Sequence, residues 1–245
     1  MKKIALAATV LVALSAGAAI ADMTPGTGIV GSPHDMNNIN GLVDDSMGRV
    51  CAFCHTPHHA LQLASGEQTP LWSHDFTAQT YKPYASPTLD ADNSDTLFGP
   101  SRLCMSCHDG LIAADQHYGV AASGTNGRLS SDAWGNVAVG KATVEAGNQG
   151  DLSNDHPVGF DYEAVAAVDS GIFTAAAGRT YIGNTVKISD TLSGGFMTCA
   201  TCHDVHNKDN VATVGSAGNY FLYASQAGSA LCLSCHAKGA ESTTP

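Results

Sequence analysis

The chain has 245 residues, a net charge of −11 from 22 acidic against 11 basic side chains, and only 7% aromatic and 13% charged residues. That balance argues against nucleic acid as a partner and for a basic or metal-bearing one. The length suffices for one large or two small domains, but so few large side chains fill a core poorly, so something besides the chain must supply apolar bulk.

Residues 1–21 read as a signal peptide. Lys2 and Lys3 precede an apolar stretch from Ile4 to Leu14 that is too short to span a membrane, and Ala19-Ile20-Ala21 fits a cleavage site. No later run is long and apolar enough for a membrane span, and no cysteine follows the cleavage site to carry a lipid. The expectation is an exported protein, extracellular or at the cell surface, with the periplasm as the alternative.

Further along, "CAFCHTPHH" puts two cysteines and three histidines into residues 51–59. The stretches 79–100, rich in Pro, Ser, Asp and Asn, and 121–155, rich in Gly, Ser and Asn, read as loops. "RTYIGNTVKI" at 179–188 has β-branched residues on both sides of Gly183-Asn184 and reads as a hairpin. "NYFLYASQAGSALCLSCHA" predicts a helix before the last cysteine pair.

All eight cysteines, Cys51, Cys54, Cys104, Cys107, Cys199, Cys202, Cys232 and Cys235, fall in C-x-x-C pairs. Each pair is followed at once by a histidine: His55, His108, His203 and His236. Zinc sites or disulfides account for the cysteines and leave the histidines unexplained. Four thioredoxin-like redox centres without a βαβ pattern fit no better. Covalent attachment of haem c explains both, because two cysteines three apart on a tight turn add to the two vinyl groups of one haem and the next residue lies under the iron. Four haem c groups are expected, and they become the missing core.

Each iron has a second axial face. Outside the motifs lie His34, His58, His59, His74, His117, His156 and His206, enough for two imidazoles on every iron without using a methionine. The chain reads as two copies of one unit: "SPHDM", "CAFCHTPH", "RLCMSCH", then "NDHPVGF", "CATCHDVH", "ALCLSCH". Two dihaem modules are expected, 22–120 and 121–245, the second carrying the Gly/Ser-rich loop and the hairpin as insertions. His34 then corresponds to His156, and His58 to His206. In each H-x-x-H turn the first histidine serves its own haem and the second a different one, since residues three apart on a helical turn are neighbours. The haem on Cys232 and Cys235 is the expected target of His206. Four of the five histidines His34, His58, His74, His156 and His206 are expected as distal ligands. His59 reads as facing solvent and His117, in "DQHYG", as a loop histidine. The fold class is a multihaem c-type cytochrome, a mostly irregular chain with short helices and a few short strands wrapped around a haem core.

The series "GTGIVGSPHDMN", "GRVCAFCHTPHHA", "PLWSH", "GPSRLCMSCHDG", "HPVGFDY", "MTCATCHDVHNKDN", "NYFLYA" and "LCLSCH" resembles the OmcE-type tetrahaem cytochromes, within the wider doubled C-x-x-C-H cytochromes. The likeness runs in order from about residue 26 to 236. It implies an extracellular, polymerising electron conductor that delivers electrons to acceptors outside the cell and exchanges them with redox partner cytochromes. It also raises His74, which lies in a feature of that family, and it implies a homopolymer joined by a shared axial histidine. His58, or else His34 behind its Gly-rich arm, is the candidate bridge. No catalytic site is expected: every motif ends in histidine and spare histidines outnumber the haems. A monomeric periplasmic shuttle, or a multihaem reductase of a small oxidised nitrogen or sulfur compound, are the alternative readings.

Overall fold

The computed structural model describes residues 28–30, 32, 34–39, 42, 44–62, 69–76, 80–94, 97–109, 114–117, 149–176, 178–206 and 221–238. The expected signal peptide, most of the expected loop at 121–155 and both chain ends lie outside the described residues.

Regular structure comes in short pieces. Every C-x-x-C-H sits on or beside a helical turn, which the spacing requires if both sulfurs are to reach one group. Val50–Phe53 is a 3-10 turn. Helix α1, Pro100–His108, is nine residues long and starts with proline at its first position, where a missing N–H costs nothing. Helix α4 covers Cys199–Cys202 and α5 covers Ala230–Cys235. The helix expected before the last motif is shorter than its sequence suggests. Gly228 and Ser229 have φ of 61° and 60°, so regular α-geometry begins only at Ala230.

Two small ladders tie distant segments. β1, Thr80–Lys82, pairs in parallel with β2, Gln149–Asp151. β3, Phe160–Asp161, pairs antiparallel with β4, Phe196–Met197. Between them lie α2, Tyr162–Ala166, capped by the Asp161 carboxylate accepting from the Ala164 N–H, and α3, Ile188–Thr191. The expected hairpin is present in its backbone bonds: Tyr181 N–H donates to the Val186 carbonyl at 3.1 Å and Ile188 N–H to that of Arg179 at 2.9 Å. Its turn spans Tyr181 to Asn184, with Gly183 at φ 78°. The described residues of the 79–100 stretch are irregular apart from β1 and the start of α1, as expected.

Apolar burial falls into separate clusters. The largest gathers Phe160, Tyr162, Ala175, Tyr181, Ile188, Met197 and Ala224, with Cys202 and Cys235 packed on its edge. A second joins Met36, Phe53 and Ala114 and touches Cys107. A third joins Tyr81, Leu97, Met105 and Leu152. Each cluster contains or abuts a cysteine motif, so the attachment turns are the seams around which the chain is packed.

The internal repeat is carried by the backbone. Thr56 N–H donates to the Leu71 carbonyl at 2.8 Å, and Asp204 N–H to that of Phe221 at 2.9 Å. Ser73 N–H donates to Cys54, and Tyr223 N–H to Cys202, at 3.0 and 3.2 Å. His55 bridges to Trp72 as His203 bridges to Leu222. Leu71 and Phe221 share a left-handed φ, 54° and 57°. Through these correspondences Leu71 is the counterpart of Phe221, and His74 of Ala224.

Candidate haem sites

The four motifs touch in sequence order. Cys54 lies close enough to feel Cys107. Cys104 hydrogen-bonds to Cys199, and α1 packs on α4, where the Cys199 N–H donates to Ser101 Oγ at 3.1 Å. Cys202 feels Cys235 and Cys232. The order is therefore first, second, third, fourth. No two of the eight cysteines are paired into a disulfide. Burial pushes Cys54, Cys107 and Cys202 up to about 12, which marks these sulfurs as enclosed by the chain. In the Cys104–Cys199 pair, the hydrogen bond raises Cys104 and lowers Cys199.

The histidines supply the decisive geometry. The rings of His55 and His206 have centroids 6.0 Å apart. Those of His34 and His108 are 6.1 Å apart, and those of His156 and His236 6.2 Å. Two imidazoles held end-on by one metal through bonds of roughly 2 Å have ring centres on the order of 6 Å apart. The three pairs match that span, so the donor set fits an iron between two imidazoles. In each, a motif histidine faces a histidine from the five distal candidates.

Protonation suits the same use, since an imidazole binds metal in its neutral form. Burial, and then the nearby His108, His203 and His206, lower His34 to about 4. Burial, then His156, lowers His236. Two ring tautomers are fixed from behind: His55 Nδ1 donates to the Pro70 carbonyl at 2.7 Å and His156 Nδ1 to that of Pro157 at 2.9 Å. That arrangement leaves Nε2 as the donor to metal.

The structure places His206 beside His55, on the first motif, where the sequence suggests His236 on the fourth. His117 lies outside the helices and strands, as read from the sequence, and it is buried: it is 2% exposed, with its ring 4.6 Å from Phe53 and Nδ1 donating to the Asp115 carbonyl at 2.9 Å. Its Nε2 is buried without a hydrogen-bond partner. His34 and His156 each stand beside the second motif histidine of their own half, His108 and His236. His58 and His59 are exposed, whereas His74 is fully buried with Nδ1 3.1 Å from the Asp75 carbonyl.

In this arrangement the motif cysteines and the paired histidines are the residues that would hold haem c. In agreement, residues 193–241, which span the third and fourth motifs, match the family model described as the doubled CXXCH motif. No curated protein matches the chain. No helix among the described residues is long and apolar enough to cross a membrane.

Proposed function

We propose that the protein is a tetrahaem electron carrier without a catalytic site, whose copies polymerise into an extracellular filament that conducts electrons to acceptors outside the cell. The observation that carries the reading is the set of three facing imidazole pairs at 6.0–6.2 Å. A reductase needs an iron with one open face, and the three imidazole pairs would leave none on the first, second and fourth haems. Haem c supplies the redox chemistry when bound. The residues of the chain hold it, keep its ligands neutral and set its spacing.

The cysteines carry the four groups as Cys51 with Cys54, Cys104 with Cys107, Cys199 with Cys202, and Cys232 with Cys235, under His55, His108, His203 and His236 respectively. Distal ligands are His206 for the first haem, His34 for the second and His156 for the fourth. His203 takes its distal ligand from His58 or His74. The repeat favours His58. His206, the last histidine of the second H-x-x-H turn, reaches back to the first motif of the preceding module. His58 holds the same place in the first turn, and the module preceding that one belongs to another copy. His34 has its role inside the subunit, which leaves His58 as the bridge between copies. Low potentials are expected, because two imidazoles stabilise ferric iron better than a methionine and histidine pair.

The test is purification of the wild type and of His58→Ala, each with its haem count and absorption spectrum, followed by electron microscopy. Wild type with four covalent haems, all low-spin, should form filaments. The His58→Ala protein should keep four haems and fail to polymerise. Fewer than four covalent haems, a high-spin centre in the assembled wild type, or filaments of normal length from His58→Ala would each count against the corresponding part of the reading.

A further inference from the structure

We infer that neighbouring copies meet through a repeat of the contact between the two halves of one subunit, with Leu71 of one copy packed against His156 of the next. This rests on the filament reading above and names the surface that reading requires.

Within the subunit, the second half meets the first along the β1–β2 ladder and where α1 packs on α4, and at the histidines it does so at two further places. His206 faces His55, and Phe221 sets its edge on His34, with centroids 4.9 Å apart and planes at 70°. Phe221 thereby covers an imidazole that also faces His108. Each member has a counterpart one repeat away: His58 for His206, His203 for His55, Leu71 for Phe221 and His156 for His34. Advancing the contact by one repeat sets His58 and Leu71 of one copy against His203 and His156 of another.

The local structure is prepared for that step. Leu71 is presented as Phe221 is, with the same left-handed φ and the same carbonyl bonded to the residue after the motif histidine. The difference is exposure: Phe221 is 7% exposed inside the subunit, whereas Leu71 is 54% exposed. His156 is likewise exposed where its counterpart His34 is largely covered, and its ring already stands 6.2 Å from His236. An apolar side chain held out by its backbone and an uncovered imidazole on the other half are thus the two sides of one contact, separated in the single subunit. Because the two surfaces differ and lie on different halves, the contact is heterologous and extends head to tail instead of closing a pair.

The test uses the full-length, haem-loaded protein. Leu71→Asp puts a charge in the contact, and aspartate tolerates a left-handed φ, so folding is spared. Four haems should remain attached and filament length should fall at least tenfold. Leu71→Phe, which installs the residue of the second half, should polymerise like wild type. Val168→Asp, at an exposed apolar position outside the repeated contact, should also polymerise. A photo-crosslinking residue at position 71 should join the peptide 149–176 of another copy, read by mass spectrometry on mixed isotopic labels. Normal filaments from Leu71→Asp, loss of filaments from Val168→Asp, or crosslinks to a different segment would overturn the inference. Wild-type protein that stays a single subunit at every concentration would overturn the filament reading itself, and this contact with it.

Discussion

Replacing His206 with alanine separates the structural pairing from the one the sequence suggests. The ring faces His55 at 6.0 Å and its side chain is 65% exposed. Removing an exposed side chain costs the fold about 0.5 kcal/mol or less, so the variant should fold and load normally. The haem on Cys51 and Cys54 then keeps His55 and loses its distal imidazole. One haem in four should turn high-spin, a quarter of the low-spin signal, with its potential moved upward. Electron paramagnetic resonance on the oxidised protein, calibrated by the covalent haem count, reads the fraction. Assignment comes from a second background in which Cys51 and Cys54 are both alanine, so that the first haem is never attached. In that background His206→Ala should add no high-spin centre. A new high-spin signal there would place His206 on a different haem and refute the facing-pair argument.

Two further outcomes follow from side chains away from the histidines. Arg179 donates to the Ser234 and Leu233 carbonyls at the end of α5 and lies 3.6 Å from the Phe173 ring centre, so Arg179→Ala should destabilise by about 2 kcal/mol, read as a lower unfolding midpoint at the Soret band. An unchanged midpoint would mean that the last motif is held by other contacts. The Arg49 guanidinium, bonded to both oxygens of Asp45 at 2.8–3.0 Å, holds that carboxyl down at about 2. A depressed carboxylate contributes stability above its unfolded pKa near 4 and loses it as pH falls through the folded value. Wild type should therefore lose stability between about pH 4 and pH 2, and Asp45→Asn should lose less over that window; equal losses in thermal melts would contradict it.

The attachment motifs and the internal repeat were legible in the sequence because both are local. A C-x-x-C-H is complete within five residues, and "CAFCHTPH" resembles "CATCHDVH" letter by letter. The same locality made the repeat partners His34 and His156 readable. The partner of His206 was not readable, since it depends on how one half lies on the other. The burial of His117 was not readable for a related reason. Its neighbours Gln116 and Tyr118 carry polar groups, but Phe53, more than sixty positions away, packs against the ring. The hairpin was found from its β-branched flanks, but the sequence placed Gly183 and Asn184 at the centre of the turn. The Asn184 N–H closing on the Tyr181 carbonyl shifts the turn towards the first arm. The helix before the last motif was overdrawn because Gly228 and Ser229 were read through as helical instead of as a break at positive φ.

The left-handed backbone at Leu71 and Phe221 has a further consequence. A residue with a β-carbon in that conformation costs about 1–2 kcal/mol, and glycine would occupy it without penalty. A chain with 26 glycines, nine of them at positive φ among the described residues, has no shortage of the cheaper solution. Keeping a large apolar side chain at both positions means accepting that cost twice. Phe221 recovers it against His34 inside the subunit. Leu71, more than half exposed, bears the same cost without comparable burial in its own subunit, so only covering that side chain would offset it.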